Sequence, residues 1–193
     1  MPAAPSLETR AFASVAEWEA WLREHHATAP GVWIRFARKG SGIASVTYME
    51  ALQEALRFGW IDGQARGVDE SWYEQRFTPR RARSIWSKRN REFALALIEA
   101  GRMEPAGLRE VERAKADGRW DAAYDAPSTA TVPDDLRAAL DASPDAAAFF
   151  ATLNSQNRYA ILHRIQTAKK PETRAARIER FVAMLARGET LYP

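Results

Sequence analysis

The sequence contains no cysteine and no long apolar segment. Without cysteine, disulfides, thiolate metal sites and cysteine nucleophiles are excluded, which suits a reducing compartment. The apolar runs are only a few residues long, far short of the roughly 20 residues that cross a bilayer. The first residues also lack the basic and apolar segments of a secretion signal. We therefore expect a cytoplasmic protein without a membrane span.

The common signatures of catalysis are missing as well. The sequence has no P-loop, no GxGxxG fingerprint and no GxSxG elbow. Its three histidines, His25, His26 and His163, do not have the spacing of metal ligands. We therefore predict no metal site and no cofactor, and we assign no catalytic residue.

Charge is present but unevenly distributed along the chain, whose formal net charge is +3. Residues 76–91 carry seven Lys or Arg side chains and no acid. Residues 99–149 carry six bases and eleven acids, and residues 154–193 carry eight bases and three acids. Such asymmetry can direct anions toward the two basic regions. The alternative is that each run is ordinary solvated surface.

Hydrophobic periodicity changes along the chain. Alternation of apolar and polar residues predicts strands over 31–39, 60–68 and 71–78, the last two forming a hairpin. Capping-box spacing at Ser14 with Glu17, and at Thr47 with Glu50, predicts a helix before and after the first strand. From Ser87 onward the periodicity is helical.

These patterns predict an α+β fold for the 193 residues. Residues 1–100 are expected to form a region with a small antiparallel sheet and helices, and residues 101–193 an all-helical region, either separate from the first or in one compact unit with it. Residues 1–10 are expected to be a loose arm. The stretch 127–133 is the best candidate for a linker.

The hairpin and the basic loop after it form the first candidate site. Trp60, Asp62 and Gln64 share a face of one predicted strand, and aromatic walls with a few fixed polar groups are typical of ligand pockets. Guanidinium groups beside a helix start suit carboxylate or phosphate. The predicted anion-binding surface consists of Trp60, Asp62, Gln64, Arg76, Arg80, Arg81, Trp86 and Lys88. The alternative is that the tryptophans pack under a helix while Asp62 pairs with Arg76 or Arg35.

A second basic run lies near the C-terminus and includes Asn157, Arg158, His163, Arg164, Lys169, Lys170, Arg174 and Arg177. Basic helices can follow a nucleic-acid backbone. Helical spacing scatters these residues over more than one face, and Lys and Arg stems often cover apolar helix surface instead.

Several short stretches together are similar to one known family. They are Gly31–Lys39, Gly59–Gly63, Phe77–Arg80, Ser84–Asn90, Gly118–Tyr124, Asn157–Tyr159 and Lys169–Arg174. The chain resembles the YdeI/OmpD-associated family, also called bacteriocin-protection proteins, from about Trp18 to Leu185. The resemblance implies a role in tolerance of bacteriocins or cationic antimicrobial peptides and an association with an outer-membrane porin. It implies no catalytic residue.

Three functions follow as hypotheses. The leading one is a non-enzymatic stress-protection protein that binds a small anionic ligand, or a protein partner, at its aromatic and arginine surface. The second is an enzyme acting on a small anionic metabolite, with Asp62 as acid or base. The third is a nucleic-acid-binding protein, whose affinity would fall steeply as salt rises.

Overall fold

A computed structural model describes residues 7–193. The α+β class and the all-helical later region are both confirmed. Along the chain the elements are β1 (Thr9–Ala11), α1 (Val15–His25), β2 (Val32–Ala37), α2 (Tyr48–Arg57), β3 (Trp60–Gly67), β4 (Trp72–Pro79), α3 (Lys88–Glu99), α4 (Pro105–Ala116), α5 (Asp134–Asp141), α6 (Pro144–Thr152), α7 (Ser155–Gln166) and α8 (Pro171–Ala186).

The strands form one mixed sheet in the order β1-β2-β4-β3. β2 and β3 each pair antiparallel with β4, as the predicted hairpin requires, whereas β1 pairs parallel with β2. Part of the expected loose arm is therefore a strand, while residues 1–6 of that arm lie outside the described residues. All three residues of β1 are exposed, so its sequence carries no alternation that would reveal it.

The chain separates into two compact units. The first, here called the sheet unit, comprises the described residues through Ile85 together with Asn90–Asp121; the second, the helical unit, comprises Trp86–Arg89 and Ala122–Pro193. The predicted boundary near residue 100 falls inside the sheet unit. The reason is that α4 packs on α2, where the amide of Glu104 donates to the Arg57 carbonyl.

The inner face of the sheet forms the core of the sheet unit. Val32, Ile34 and Phe36 of β2 are almost completely buried, and each such side chain contributes about 1.5–3 kcal/mol when removed from water. Trp18 and Trp21 of α1 stack on each other at 5.2 Å between ring centroids against this face. The predicted alternation of β2 thus puts its apolar side chains on the side of the sheet that α1 covers.

Helix α2 begins at the predicted capping box. Thr47 accepts a hydrogen bond from the Glu50 amide, and the Glu50 carboxylate accepts one from the Thr47 amide. At Ser14 only half of this arrangement forms, because Glu17 accepts from the Ala13 amide instead. Gly59 ends the helical segment with φ +75°, a conformation that glycine adopts without strain.

Two carboxylates are buried in the sheet unit, and both are paired with arginines. Glu54 accepts hydrogen bonds from the buried Arg57 and the exposed Arg102. On the outer face of the sheet, Glu74 accepts from Arg35 and Arg66. Burial alone would raise the pKa of Glu74, but these hydrogen bonds outweigh it and hold the pKa below its usual value.

The core of the helical unit is built from one face of each of the helices α5, α6, α7 and α8. Its fully buried side chains include Leu136 of α5, Ile161 and Ile165 of α7, and Leu185 of α8. Within residues 7–193, no helix has the length and apolar character needed to cross a membrane.

Candidate functional site

Trp60, the first residue of the predicted surface, lies in the core. Its indole is fully buried and donates a hydrogen bond to the His26 carbonyl at 3.0 Å. The ring meets Trp18 and Trp21 edge-on, with centroids 6.4 and 5.6 Å away. This tryptophan therefore packs under helix α1 and does not form the wall of an open hollow.

The polar members of the predicted surface lie on both faces of the sheet. The half-buried Asp62 accepts a hydrogen bond from the Tyr48 hydroxyl at 2.8 Å. A bulge between Asp62 and Ala65 inserts one residue, so the exposed Gln64 does not continue the face of Asp62. Arg76 lies opposite Trp33 on the outer face. Its Nε is buried and donates to no acceptor among residues 7–193.

The remaining predicted residues differ in exposure and in the unit they belong to. Arg80 is buried and donates to the Ile85 carbonyl, whereas Arg81 is exposed. Trp86 is buried and Lys88 pairs with Asp125 at 2.6 Å, both within the helical unit. Six of the eight residues thus belong to the sheet unit and two to the helical unit. Their role as one ligand-binding surface stays a prediction.

The helical unit contains a cavity of about 640 Å³ between α7 and α8, here called the helical cavity. That volume is within the range of small-molecule sites. The cavity has basic and aromatic walls and no acidic residue among those that line it: Pro127, Ser155, Gln156, Tyr159, Ala160, His163, Arg164, Thr167, Arg177 and Tyr192.

Two half-buried arginines supply the positive charge of the helical cavity. Arg164 donates to the Ala160 carbonyl and to the Tyr192 hydroxyl, both at 3.2 Å. Arg177 of α8 donates to the Arg164 carbonyl and so holds the two helices together at this point. Within the described part of the chain, neither guanidinium has a carboxylate at ion-pair distance. Their charge is therefore not neutralised by the chain described.

His163 lines the cavity and contacts two tyrosine rings. Its ring is perpendicular to that of Tyr124 at 4.7 Å and tilted against that of Tyr159 at 5.6 Å. Burial, together with the positive charges of Arg164 and Arg177, lowers the pKa of His163 below its usual value. The imidazole is therefore neutral at pH 7 and can both donate and accept a hydrogen bond.

A hydrogen bond from its hydroxyl group fixes the orientation of Tyr159. Its hydroxyl donates to the Asp125 carbonyl at 3.0 Å. Burial, with smaller contributions from Tyr124 and Asp125, raises the pKa of Tyr159 to about 12. The Asp125 carboxylate in turn accepts from Lys88 and Gln166, which lowers its pKa. Tyr159 is thus a fixed neutral donor rather than a group that titrates near neutrality.

Tyr192, near the C-terminus, also lines the cavity. The buried Asn157 side chain accepts from the amides of Leu191 and Tyr192 at 3.0 and 2.9 Å and donates to the Tyr192 carbonyl at 3.1 Å. These three bonds hold Tyr192 beside Arg164, whose guanidinium carbon lies 5.7 Å from the ring centroid. Asn157 therefore shapes the cavity without lining it.

Two family models match different stretches of the chain. A family model described as Domain of unknown function (DUF8412) matches residues 10–110, just over half of the chain. The chain belongs to this family. A second model, described as Bacteriocin-protection, YdeI or OmpD-Associated, matches residues 129–188. The resemblance seen in the sequence is thereby confirmed over that part. No curated protein and no solved structure matches the chain.

The YdeI/OmpD-associated match contains most of the helical cavity. Tyr159, His163, Arg164 and Arg177 all fall within residues 129–188. The sequence pattern assigns His163, Arg164 and Arg177 to a basic run that could bind nucleic acid. It does not indicate that the three residues line one cavity. Tyr192 was missed, because its only signal is an aromatic residue after the helix-ending Gly188. Among residues 7–193, no cluster of three metal-ligating side chains occurs.

Proposed function

We propose that this DUF8412 family protein is a binding protein of the bacteriocin-protection type, and that its helical unit holds a small anionic ligand between Arg164 and Arg177. One observation carries the proposal: a cavity of ligand size has two arginines without carboxylate partners among residues 7–193, and no acid lines it. The cavity has aromatic and arginine residues, as the predicted surface does, but none of the eight residues predicted from the sequence lines it.

The chemistry of the walls favours an oxyanion with a flat body. Guanidinium groups donate in a planar fork that fits carboxylate and phosphate. Neutral His163 and the rings of Tyr159 and Tyr192 offer apolar surface with polar edges. Because the arginines already lie in the cavity walls, little ordering is required on binding, which preserves affinity.

Calorimetric titration with sulfate, inorganic phosphate and benzoate tests the proposal. Arg164→Ala and Arg177→Ala each remove a charge-assisted donor, which should weaken binding about tenfold or more. Arg180→Ala is the matched control, because Arg180 is exposed on the same helix and does not line the cavity. Absence of saturable binding at low salt, or an equal loss in the control, would contradict the proposal.

A tolerance assay connects the site to the family description. In bacteria lacking the endogenous gene, Arg164→Ala/Arg177→Ala is expected not to restore bacteriocin tolerance, whereas Arg180→Ala should restore it. Equal abundance of the variants in the cell must be shown by immunoblot. Full tolerance with the double variant would separate the cavity from the biological role.

The other hypotheses stay predictions. An enzymatic role for Asp62 predicts turnover that Asp62→Asn abolishes, and the nucleic-acid hypothesis predicts a mobility shift that weakens as salt rises. For the surface in the sheet unit, Arg81→Ala is a suitable probe because Arg81 is exposed. Trp60→Ala is unsuitable, since emptying a buried tryptophan site costs about 3–5 kcal/mol of stability.

A further inference from the structure

A second cavity lies in the sheet unit, where β2 ends and the chain runs toward α2. It measures about 470 Å³ and is here called the loop cavity. Residues 36–43 and 45–48 line it together with Tyr73 of β4, and no acid occurs among them. All of these residues belong to the sheet unit, so the loop cavity is separate from the helical cavity in the other unit.

The floor of the loop cavity is aromatic. Phe36 stacks on Tyr73 with ring centroids 5.3 Å apart and an interplanar angle of 21°, and Tyr48 meets Phe36 edge-on at 6.5 Å. The Tyr48 hydroxyl donates to Asp62, which fixes the orientation of this ring. Phe36 itself is almost completely buried, so a flat apolar group would lie against the half-buried rings of Tyr73 and Tyr48.

The rim of the loop cavity carries positive charge. Arg38 donates from Nε to the Asp69 carbonyl at 3.1 Å, and its guanidinium carbon lies 5.8 Å from the centroid of Tyr73. Lys39 follows it in the chain and is exposed. In the described chain, no carboxylate lies within ion-pair distance of either side chain.

Backbone amides add donors at the same rim. The N–H groups of Lys39, Gly40 and Gly42 donate to no acceptor within residues 7–193. Gly40 and Gly42 have φ values of +88° and +71°, and a side chain at either position would meet open space. The glycines are therefore required by the backbone conformation and not by crowding. Lys39 and Gly40 thus offer two successive amides, an arrangement that can bind anions, whereas the Ser41 amide donates to the Arg38 carbonyl.

We propose that the loop cavity binds a small organic phosphate monoester that carries a flat ring. The phosphate group would take hydrogen bonds from the amides of Lys39, Gly40 and Gly42 and would lie near the charges of Lys39 and Arg38. The ring would lie against the half-buried side chains of Tyr73 and Tyr48. A tetrahedral anion with several oxygens uses this number of donors better than a carboxylate does, and the volume of the cavity leaves room for a ring beside the phosphate.

A calorimetric titration of the full chain with adenosine 5′-monophosphate at low ionic strength tests this inference. We expect saturable binding, with adenosine and inorganic phosphate each binding about tenfold or more weakly. Lys39→Glu should weaken nucleotide binding about tenfold or more, because it removes a cation and adds a repulsive charge. Lys169→Glu is the matched control, because Lys169 is also an exposed lysine but belongs to the helical unit.

The outcomes separate this inference from the proposed function. Lack of saturable nucleotide binding, or an equal loss in Lys169→Glu, overturns it. Loss of nucleotide binding in Arg164→Ala with unchanged binding in Lys39→Glu also overturns it and assigns the nucleotide to the helical cavity. If Arg164→Ala loses benzoate binding but keeps nucleotide binding, both sites stand.

Discussion

Asn157→Ala should release the end of the chain from α7. The side chain is about 2% exposed and makes three hydrogen bonds to the backbone of Leu191 and Tyr192. At about 1 kcal/mol for each bond, the helical unit should lose at most about 3 kcal/mol of stability. The loss is at most this large because the freed backbone groups can be hydrated once the end of the chain detaches.

Hydrogen exchange measures this release directly. In the wild-type protein the amides of Leu191 and Tyr192 should exchange more slowly than unstructured amides, because both donate to Asn157. Asn157→Ala should bring both to the unstructured rate. Asn157→Asp is the comparison variant, since it keeps an acceptor for these two amides but sets a carboxylate oxygen against the Tyr192 carbonyl, so the amides should lose less protection than in Asn157→Ala. Equal protection in wild type and Asn157→Ala would refute the assigned role.

The cavity provides a second readout of the same variant. Tyr192 accepts a hydrogen bond from Arg164 and lines the helical cavity. Releasing it should therefore weaken binding of the anions proposed to bind there, even though Asn157 does not line the cavity. Unchanged affinity alongside lost amide protection would show that Tyr192 is not part of the binding wall.

Three further predictions concern the sheet unit. Gly107→Ala should lower stability by about 2 kcal/mol or more, because the new methyl would overlap the carbonyl oxygen of Arg57; an unchanged melting temperature would contradict this. Arg57→Ala leaves Glu54 buried with one exposed partner and should cost about 3–5 kcal/mol in urea unfolding, whereas Arg102→Ala should cost about 1 kcal/mol or less. Because the pKa of Glu74 is lowered in the folded protein, its arginine pairs should stabilise the fold above the unfolded pKa, and this contribution should be lost as pH falls through the folded pKa; Glu74→Gln should show a flatter dependence of stability on acid pH.

Local sequence signals were sufficient where neighbouring residues decide the structure. The alternation of Val32, Ile34 and Phe36 predicted a strand with one buried face, and Thr47 with Glu50 predicted the start of α2. β1 escaped prediction because it is short, exposed and held by pairing with β2 far along the chain.

The candidate sites depended on distant contacts and were harder to predict. The hydrogen bond from Tyr48 to Asp62 crosses from α2 to β3, and the bulge after Asp62 turns Gln64 away from the predicted face. An indole such as that of Trp60 is typical of the wall of a ligand pocket, but Trp18 and Trp21 pack against this ring and bury it. Residue type predicts an aromatic and arginine surface, but which of these side chains share a cavity depends on how the helices pack.

An NMR titration of the His163 ring is the most direct test of anion binding in the helical cavity. Burial and the charges of Arg164 and Arg177 lower the pKa of His163, so an anion bound between the arginines should raise it. Sulfate keeps its charge across the titrated range, and chloride at equal ionic strength is the control. The proposal predicts that sulfate raises the pKa of His163 in the wild type and does so much less in Arg177→Ala. A pKa that is the same in sulfate and in chloride would contradict it.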